Sequence, residues 1–357
     1  MTAASGRTLR FLRSCVSSPL NAVVTAALVA ALAVTVPRLV DWALVDAVWS
    51  GASGRDCAGK DGACWIFIAS RFGQILYGSY PIGERWRVDL VAALGIVGIA
   101  AFALSPRGRR LAFAALLAAV YAVTGAILLR GGAFGLVAVP TGAWGGLMLT
   151  LIVAAWTIVS AVPLGLVLAL ARRSSMPVVA GLAAGFIDVV RGLPLLGILF
   201  LAVVLFPLFA PPGVETDKLV RALLAFTLFN AANLAEVFRG GLQAVPGGQK
   251  EAGASLGLSA ANVTWLVVVP QAVAVSIPAV VNVCIAIVKE TTIVLIVGLF
   301  DFLGVLQAGV ADPDWLVAEQ ARDTAYLFAA VVFFCVCFSL SRYSLRLERQ
   351  LRAPMHP

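Results

Sequence analysis

Residues 145–170 read GGLMLTLIVAAWTIVSAVPLGLVLAL, without one charged side chain. A bilayer core about 30 Å thick needs roughly 20 apolar residues per crossing helix. In lipid a single segment must satisfy its own backbone hydrogen bonds, which a helix does. Working outward with that length gives candidate spans at 20–36, 88–104, 111–129, 145–170, 177–208, 219–235, 264–300 and 324–341. Gly192-Leu193-Pro194 interrupts the fifth and Lys289-Glu290-Thr291-Thr292 the seventh; each counts as one crossing, making eight. Composition agrees: 61% of the 357 residues are hydrophobic and 12% charged, against about 25% charged in soluble chains, and the mean hydropathy is +0.99. The expected fold is an all-α integral membrane bundle in a lipid bilayer.

The lone histidine, His356, lies in the tail, which argues against a histidine-based metal site or catalytic triad. Basic residues are scattered between apolar spans rather than clustered, so no nucleic-acid partner is expected. Arg7, Arg10 and Arg13 precede the first span, and further spans follow, which fits an uncleaved signal anchor. Short loops on one side carry Arg107, Arg109, Arg110, Arg172, Arg173, Arg191, Arg239 and Lys250, and the C-terminus carries Arg342, Arg346, Arg349 and Arg352. By the positive-inside bias both termini are expected in the cytoplasm. The segment 37–87 holds Trp42, Trp49, Trp65, Tyr77, Tyr80 and Trp86, residues suited to a membrane interface. It is expected to form a small external subdomain with short interfacial helices. Cys57 and Cys64 share its polar, glycine-rich part, where a disulfide and two free thiols both remain open. Cysteines 15, 284, 335 and 337 read as packing residues.

The polar stretch on the expected inner side runs EVFRGGLQAVPGGQKEAGASLGLS from Glu236 to Ser259. Small residues at 252, 253, 254 and 257 make a short helix with a thin face that another protein can approach. Gly257 suits the helix C-terminus, and Ser259 can cap the next helix. Local physics alone fits an ordinary capped loop as well. Within this stretch, Glu251-Ala252-Gly253, then Gly257, then Val267-x-Val269-Pro270 resembles the EAA loop of type I ABC importer permeases, with matching spacing. Gly253 replaces an Ala, Val267 an Ile and Val269 a Leu. Arg191-Gly-Leu-Pro, Ala235-Glu-Val-Phe-Arg-Gly-Gly-Leu, Pro270-Gln-Ala and Lys289-Glu-Thr-Thr resemble the polar amino-acid permeases of histidine, arginine and glutamine importers, over roughly 141–345. Pro19-Leu-Asn-Ala, Ala47-Val-Trp-Ser-Gly, Gly62-Ala-Cys-Trp, Trp86-Arg-Val-Asp-Leu and Asp312-Pro-Asp-Trp resemble the second permease of the general L-amino-acid importers, the AapM and BztC type.

The resemblance implies a type I ABC importer permease core of five helices at 141–345, with the coupling loop at 236–263. Three extra N-terminal helices precede it at 1–140, and a cytoplasmic tail follows at 346–357. It implies a bacterial inner-membrane, multi-pass subunit that is not itself an enzyme and binds no cofactor. ATP and Mg would sit on cytoplasmic ATPase subunits. A second homologous permease and a periplasmic or extracellular amino-acid-binding protein would complete the machine. Glu251, Ala252, Gly253 and Gly257 would couple to the ATPase. The sequence has no G-x-x-x-x-G-K-[ST] phosphate loop. Ionisable residues inside spans default to functional candidates. Lys289 and Glu290 either bind an amino acid's carboxylate and ammonium or neutralise each other. With Thr291, Thr292, Asn282, Asn230 and Asn233 they make the candidate substrate path, although such asparagines equally bridge helices. Arg191, Glu236 and Arg239 form a candidate gating or structural ion network. Breaks at Pro194 and Pro278 would free backbone groups to line a cavity. The alternative, a self-sufficient secondary transporter, calls for matching repeats, and the loop 236–263 has no counterpart in the first half.

Overall fold

The computed structural model describes residues 14–104, 110–209, 211, 213 and 216–352. Arg7, Arg10, Arg13, Arg107, Arg109 and His356 lie outside the described residues. The chain forms α1 (Pro19–Val40), α2 (Trp65–Tyr77), α3 (Arg85–Leu104), α4 (Arg110–Arg130), α5 (Gly146–Ala171), α6 (Pro177–Gly192) and α7 (Leu195–Phe209). There follow α8 (Lys218–Ala244), α9 (Gly247–Ser255), α10 (Ala260–Val297), α11 (Phe302–Val310) and α12 (Glu319–Arg352). Among the described residues only three isolated bridges represent β pairing.

All eight candidate spans fall on helices. Among the described residues five are long and apolar enough to cross a membrane alone, or six if α6 and α7 count as one. The other two, α3 and α4, border residues 105–109, outside the described residues. Helices α6 and α7 meet at a bend of 103°. Leu193 between them is extended at φ −104, ψ 144, because the residue before a proline is driven out of the helical region. Pro278, by contrast, lies within an uninterrupted helix, against the break expected there. A proline removes one donor, and a membrane helix flanked by neighbours tolerates that loss.

Two compact units are distinguished: residues up to Arg71 with Gly309–Leu327, and Phe72–Ala308 with Phe328 onward. In the second, α8 packs against α5 on one side and α10 on another. A Cβ on Gly165 of α5 would lie 2.7 Å from Leu234 Cβ and 3.0 Å from the Ala231 carbonyl oxygen. One on Gly241 of α8 would lie 2.6 Å from the Ala272 carbonyl of α10. Buried Ala161, Ala169, Ala231, Ala235 and Ala272 continue these seams. Small residues let backbones approach, which is how helices associate in lipid. Leu149, Val153, Leu199, Phe226 and Val294 fill a separate cluster of larger side chains.

In the first unit, α1 ends in a widened turn at Asp41–Val45. The Val48 and Ala63 amides donate to the Ala63 and Trp42 carbonyls, both at 2.8 Å, and fold the intervening loop back. Cys57 and Cys64 are joined by a disulfide, and the Trp49 ring stacks on Trp65 at 5.5 Å. The segment 309–327 belongs to the same unit. Arg71 pairs with Asp312 at 2.6 Å, the Cys64 amide donates to Thr324 Oγ1 at 2.8 Å, and Trp42 Nε1 donates to Gln320 Oε1 at 2.9 Å. The Arg71 guanidinium, followed by the Asp314 amide, holds the Asp312 carboxyl below its ordinary value. The Ser53 and Ala52 amides do the same for Asp56.

Gly165→Leu is expected to cost at least about 1–3 kcal/mol by overpacking, read as a lower Tm of the detergent-solubilised protein, while the same change at open Gly181 has little effect. The two depressed carboxyls stabilise the first unit above the unfolded value of 3.8, and that contribution disappears as pH falls through their lower folded values. Protease protection of residues 46–64 should therefore persist at pH 5 and weaken below about 3.8.

Candidate functional site

The segment linking α8 to α10 turns sharply at Val245-Pro246. Pro246, at φ −58 and ψ 140, stands at the N-cap of α9. The helix ends in paired C-terminal bonds: the Gly257 amide donates to the Ala254 carbonyl at 2.9 Å, and the Leu258 amide to the Gly253 carbonyl at 3.3 Å. That geometry requires a left-handed residue at 257, where Gly has φ +78. Ser259 Oγ accepts from the Asn262 amide at 3.3 Å and starts the following helix. Lys250, Glu251, Ala252 and Ala254 face outward, and Leu256 is 82% exposed. Gly253 does not face outward with them. It is buried, and its absent Cβ would lie 3.1 Å from Val263 Cγ2. Its smallness therefore serves a contact within the chain, a correction to the outward role expected from the sequence.

At the end of α8 nearer this segment, Glu236 gathers three arginines. Its Oε2 accepts from Arg239 Nε at 2.8 Å and stands 3.8 Å from Arg191; its Oε1 accepts from Arg172 at 2.9 Å. Arg172 also pairs with Asp188 at 3.0 Å. The side chain of Glu236 is 16% exposed. Arg191, Glu236 and Arg239 were singled out from sequence. Arg172 and Asp188 were missed, because nothing local distinguishes Arg172 from any positive-inside loop residue, and its partner is 64 positions away.

The substrate-path candidates lie on α8 and α10. Asn230 is buried and donates to the Phe226 carbonyl at 3.1 Å; its side chain also lies close enough to the Glu290 carboxyl to act on it. Glu290 Oε2 is buried and has no hydrogen-bond partner. Asn233 donates to its own helix at Phe229, 3.3 Å away. Lys289 and Asn282 are exposed. No Lys289–Glu290 contact within salt-bridge distance forms among the described residues, although the Lys289 charge still acts on Glu290 through space. Successive residues on a helix point about 100° apart, which separates the two heads. Thr291 and Thr292 donate back to the Val288 and Lys289 carbonyls at 2.8 and 3.0 Å, where the helix tightens to a 3₁₀ turn.

Removing the hub carboxylate strands several cations. Glu236→Ala is expected to cost about 1–3 kcal/mol. Arg191→Ala, which removes a longer and more exposed contact, should cost about 0–1 kcal/mol. Thermal unfolding of the two variants in detergent separates them.

Residues 161–353 match the family described as binding-protein-dependent transport system inner membrane component. Over 325 residues the chain is 45% identical to the inner membrane amino-acid ABC transporter permease protein YhdY of Escherichia coli (strain K12), covering 90% of this chain and 87% of that one. It is 34% identical over 402 residues to the glutamate/glutamine/aspartate/asparagine transport system permease protein BztC of Rhodobacter capsulatus, covering 94% and 92%. Its fold resembles the crystal structure of an amino acid ABC transporter with histidines, at 30% identity and a TM-score of 0.50, over 57% of this chain and 92% of that one. The chain, with its apolar helices, its small-residue seams and its capped α9, belongs to the family of binding-protein-dependent transport system inner membrane components and is a multi-pass membrane protein.

Proposed function

We propose that this chain is a transmembrane permease subunit of an ABC importer for amino acids, forming part of the translocation path and receiving ATP-driven movement through α9. The observation that carries the reading is α9 itself. It is a short helix, capped at its C-terminus, with its inward side packed on the transmembrane bundle and its outward side bearing Glu251 and Leu256. Similarity along nearly the whole chain to an amino-acid permease supports it. A stiff helix transmits displacement as a rigid body where a floppy loop absorbs it.

In this reading the partners are cytoplasmic ATPase subunits carrying ATP and Mg, a second homologous permease, and an amino-acid-binding protein outside. The chain is non-catalytic. Both termini lie in the cytoplasm of a bacterial inner-membrane protein. The basic loops near Arg172, Arg173 and Lys250 support that orientation. So does the Cys57–Cys64 disulfide in the first unit, since such bonds persist in oxidising compartments. Lys289, Glu290 and Asn230, with Asn282, Asn233, Thr291 and Thr292, supply charge and hydrogen bonds suited to an amino acid's two ionic ends, and the Glu290 oxygen without a partner is the natural acceptor for an ammonium group.

The detergent-solubilised complex is expected to retain an ATPase, and Glu251→Lys should reduce that retention by about tenfold. Ion-driven amino-acid uptake by the purified chain alone would overturn the reading in favour of a self-sufficient transporter.

A further inference from the structure

We infer that Gly253 and Gln249 on α9, with Val263 and Gln271 on α10, form a two-point clamp that converts movement of α9 into movement of α10. This rests on the reading of α9 as the element that receives the ATPase stroke. The four residues are positioning residues: they transmit rather than contact ATP or amino acid.

Gln249 and Gly253 stand one turn apart and share one face of α9. At one point, Gly253 is buried against Val263, with no room for a larger side chain before Val263 must yield. At the other, Gln271 Nε2 donates to Gln249 Oε1 at 3.1 Å and also to the Val267 carbonyl at 3.0 Å. One contact between two rods is a pivot, about which α9 could rotate without moving its neighbour. Two contacts spaced along both rods remove that freedom. The apolar contact resists compression, and the amide bridge resists sliding. Buried Val245 and Val268 back the same corner. From Gln271 the helix continues to Glu290, about 28 Å away at 1.5 Å per residue. A displacement delivered at the clamp therefore reaches the candidate substrate path along one element.

The test uses the complete transporter, with its ATPases, paired permease and binding protein, in proteoliposomes. It measures amino acid taken up per ATP hydrolysed, and separately the ATPase retained in the complex. Gln271→Leu and Gly253→Val are expected to keep the ATPase bound while uptake per ATP falls about fivefold, the scale of one lost hydrogen bond. Val263→Ala should restore Gly253→Val by removing the obstructing methyl groups. The reciprocal pair Gln249→Glu with Gln271→Lys should restore the bridge as an ion pair. ATPase retained with an unchanged ratio in both single variants overturns the clamp alone. An unmodified complex that retains no ATPase overturns the coupling reading and the clamp with it. Because rescue is scored on a ratio per ATP, a general loss of folded protein cannot mimic it.

Discussion

The close approach of α5, α8 and α10 is the constraint on which the rest of the second unit depends. Lipid chains are as apolar as leucine, so burial of apolar surface does little to hold helices together in a bilayer. What remains is dispersion, which decays steeply with separation, and polar contacts between helices. Gly165 and Gly241 remove the side chains that would hold the backbones apart. The Ser160–Thr227 hydroxyl bond at 2.7 Å then joins α5 to α8. Because α8 belongs to both seams, it acts as a post. Glu236 stands near one end of it and Asn230 farther along, so the ion hub and the Asn230–Glu290 contact inherit their geometry from the same packing.

The Glu236 hub shows how a single carboxylate organises several helix ends without being a simple source of stability. Three guanidiniums around one acid repel one another, and the second acid, Asp188, offsets part of that repulsion through Arg172. The residues come from the end of α5, the last turns of α6 and the lower part of α8. Helix α6 stops immediately afterwards at the 103° bend. The hub therefore fixes where α6 ends relative to α8, while the backbone beyond Gly192 takes a new direction. Ion pairs that are partly exposed cost little to rearrange, which distinguishes this network from the buried glycine seams.

What the sequence could and could not disclose follows from the same solvent. The spans were legible because length and apolarity are demanded by the bilayer itself. The caps at Gly257 and Ser259 were legible because they depend on local backbone chemistry. Facing was not legible. A helix in water betrays its buried side by a polar stripe, but a helix in lipid is apolar all round, and even polar α9 concealed which of its small residues looked inward. Gly253 was thus placed on the outer side when it packs on Val263. Arg172 and Asp188 were missed because their meeting is set by tertiary packing. Pro278 was overread as a break, since the helix-breaking rule learned from water is relaxed between neighbouring membrane helices.

The shape of α10 brings these features together. After a first turn at Ala260–Asn262 it widens into a π-type segment at Val263–Val268, runs regularly from Val269 to Glu290, and tightens into a 3₁₀ segment at Thr291–Val297 before left-handed Gly298. Irregular turns of both kinds concentrate at functional hinges. A regular helix resists axial deformation, because stretching it strains every i to i−4 hydrogen bond in the column. Deformation therefore collects at the two irregular ends. Val263 at the lower end touches Gly253, and Glu290 closes the regular stretch at the upper end beside Asn230. Under the proposed coupling, a stroke received at Val263 would arrive at Glu290 as a shift of the whole rod, and the turn at Thr291–Val297 is the place to absorb the mismatch with the segment that follows. At Glu290 a buried carboxylate oxygen without a hydrogen-bond partner sits at the boundary between the regular helix and the 3₁₀ segment.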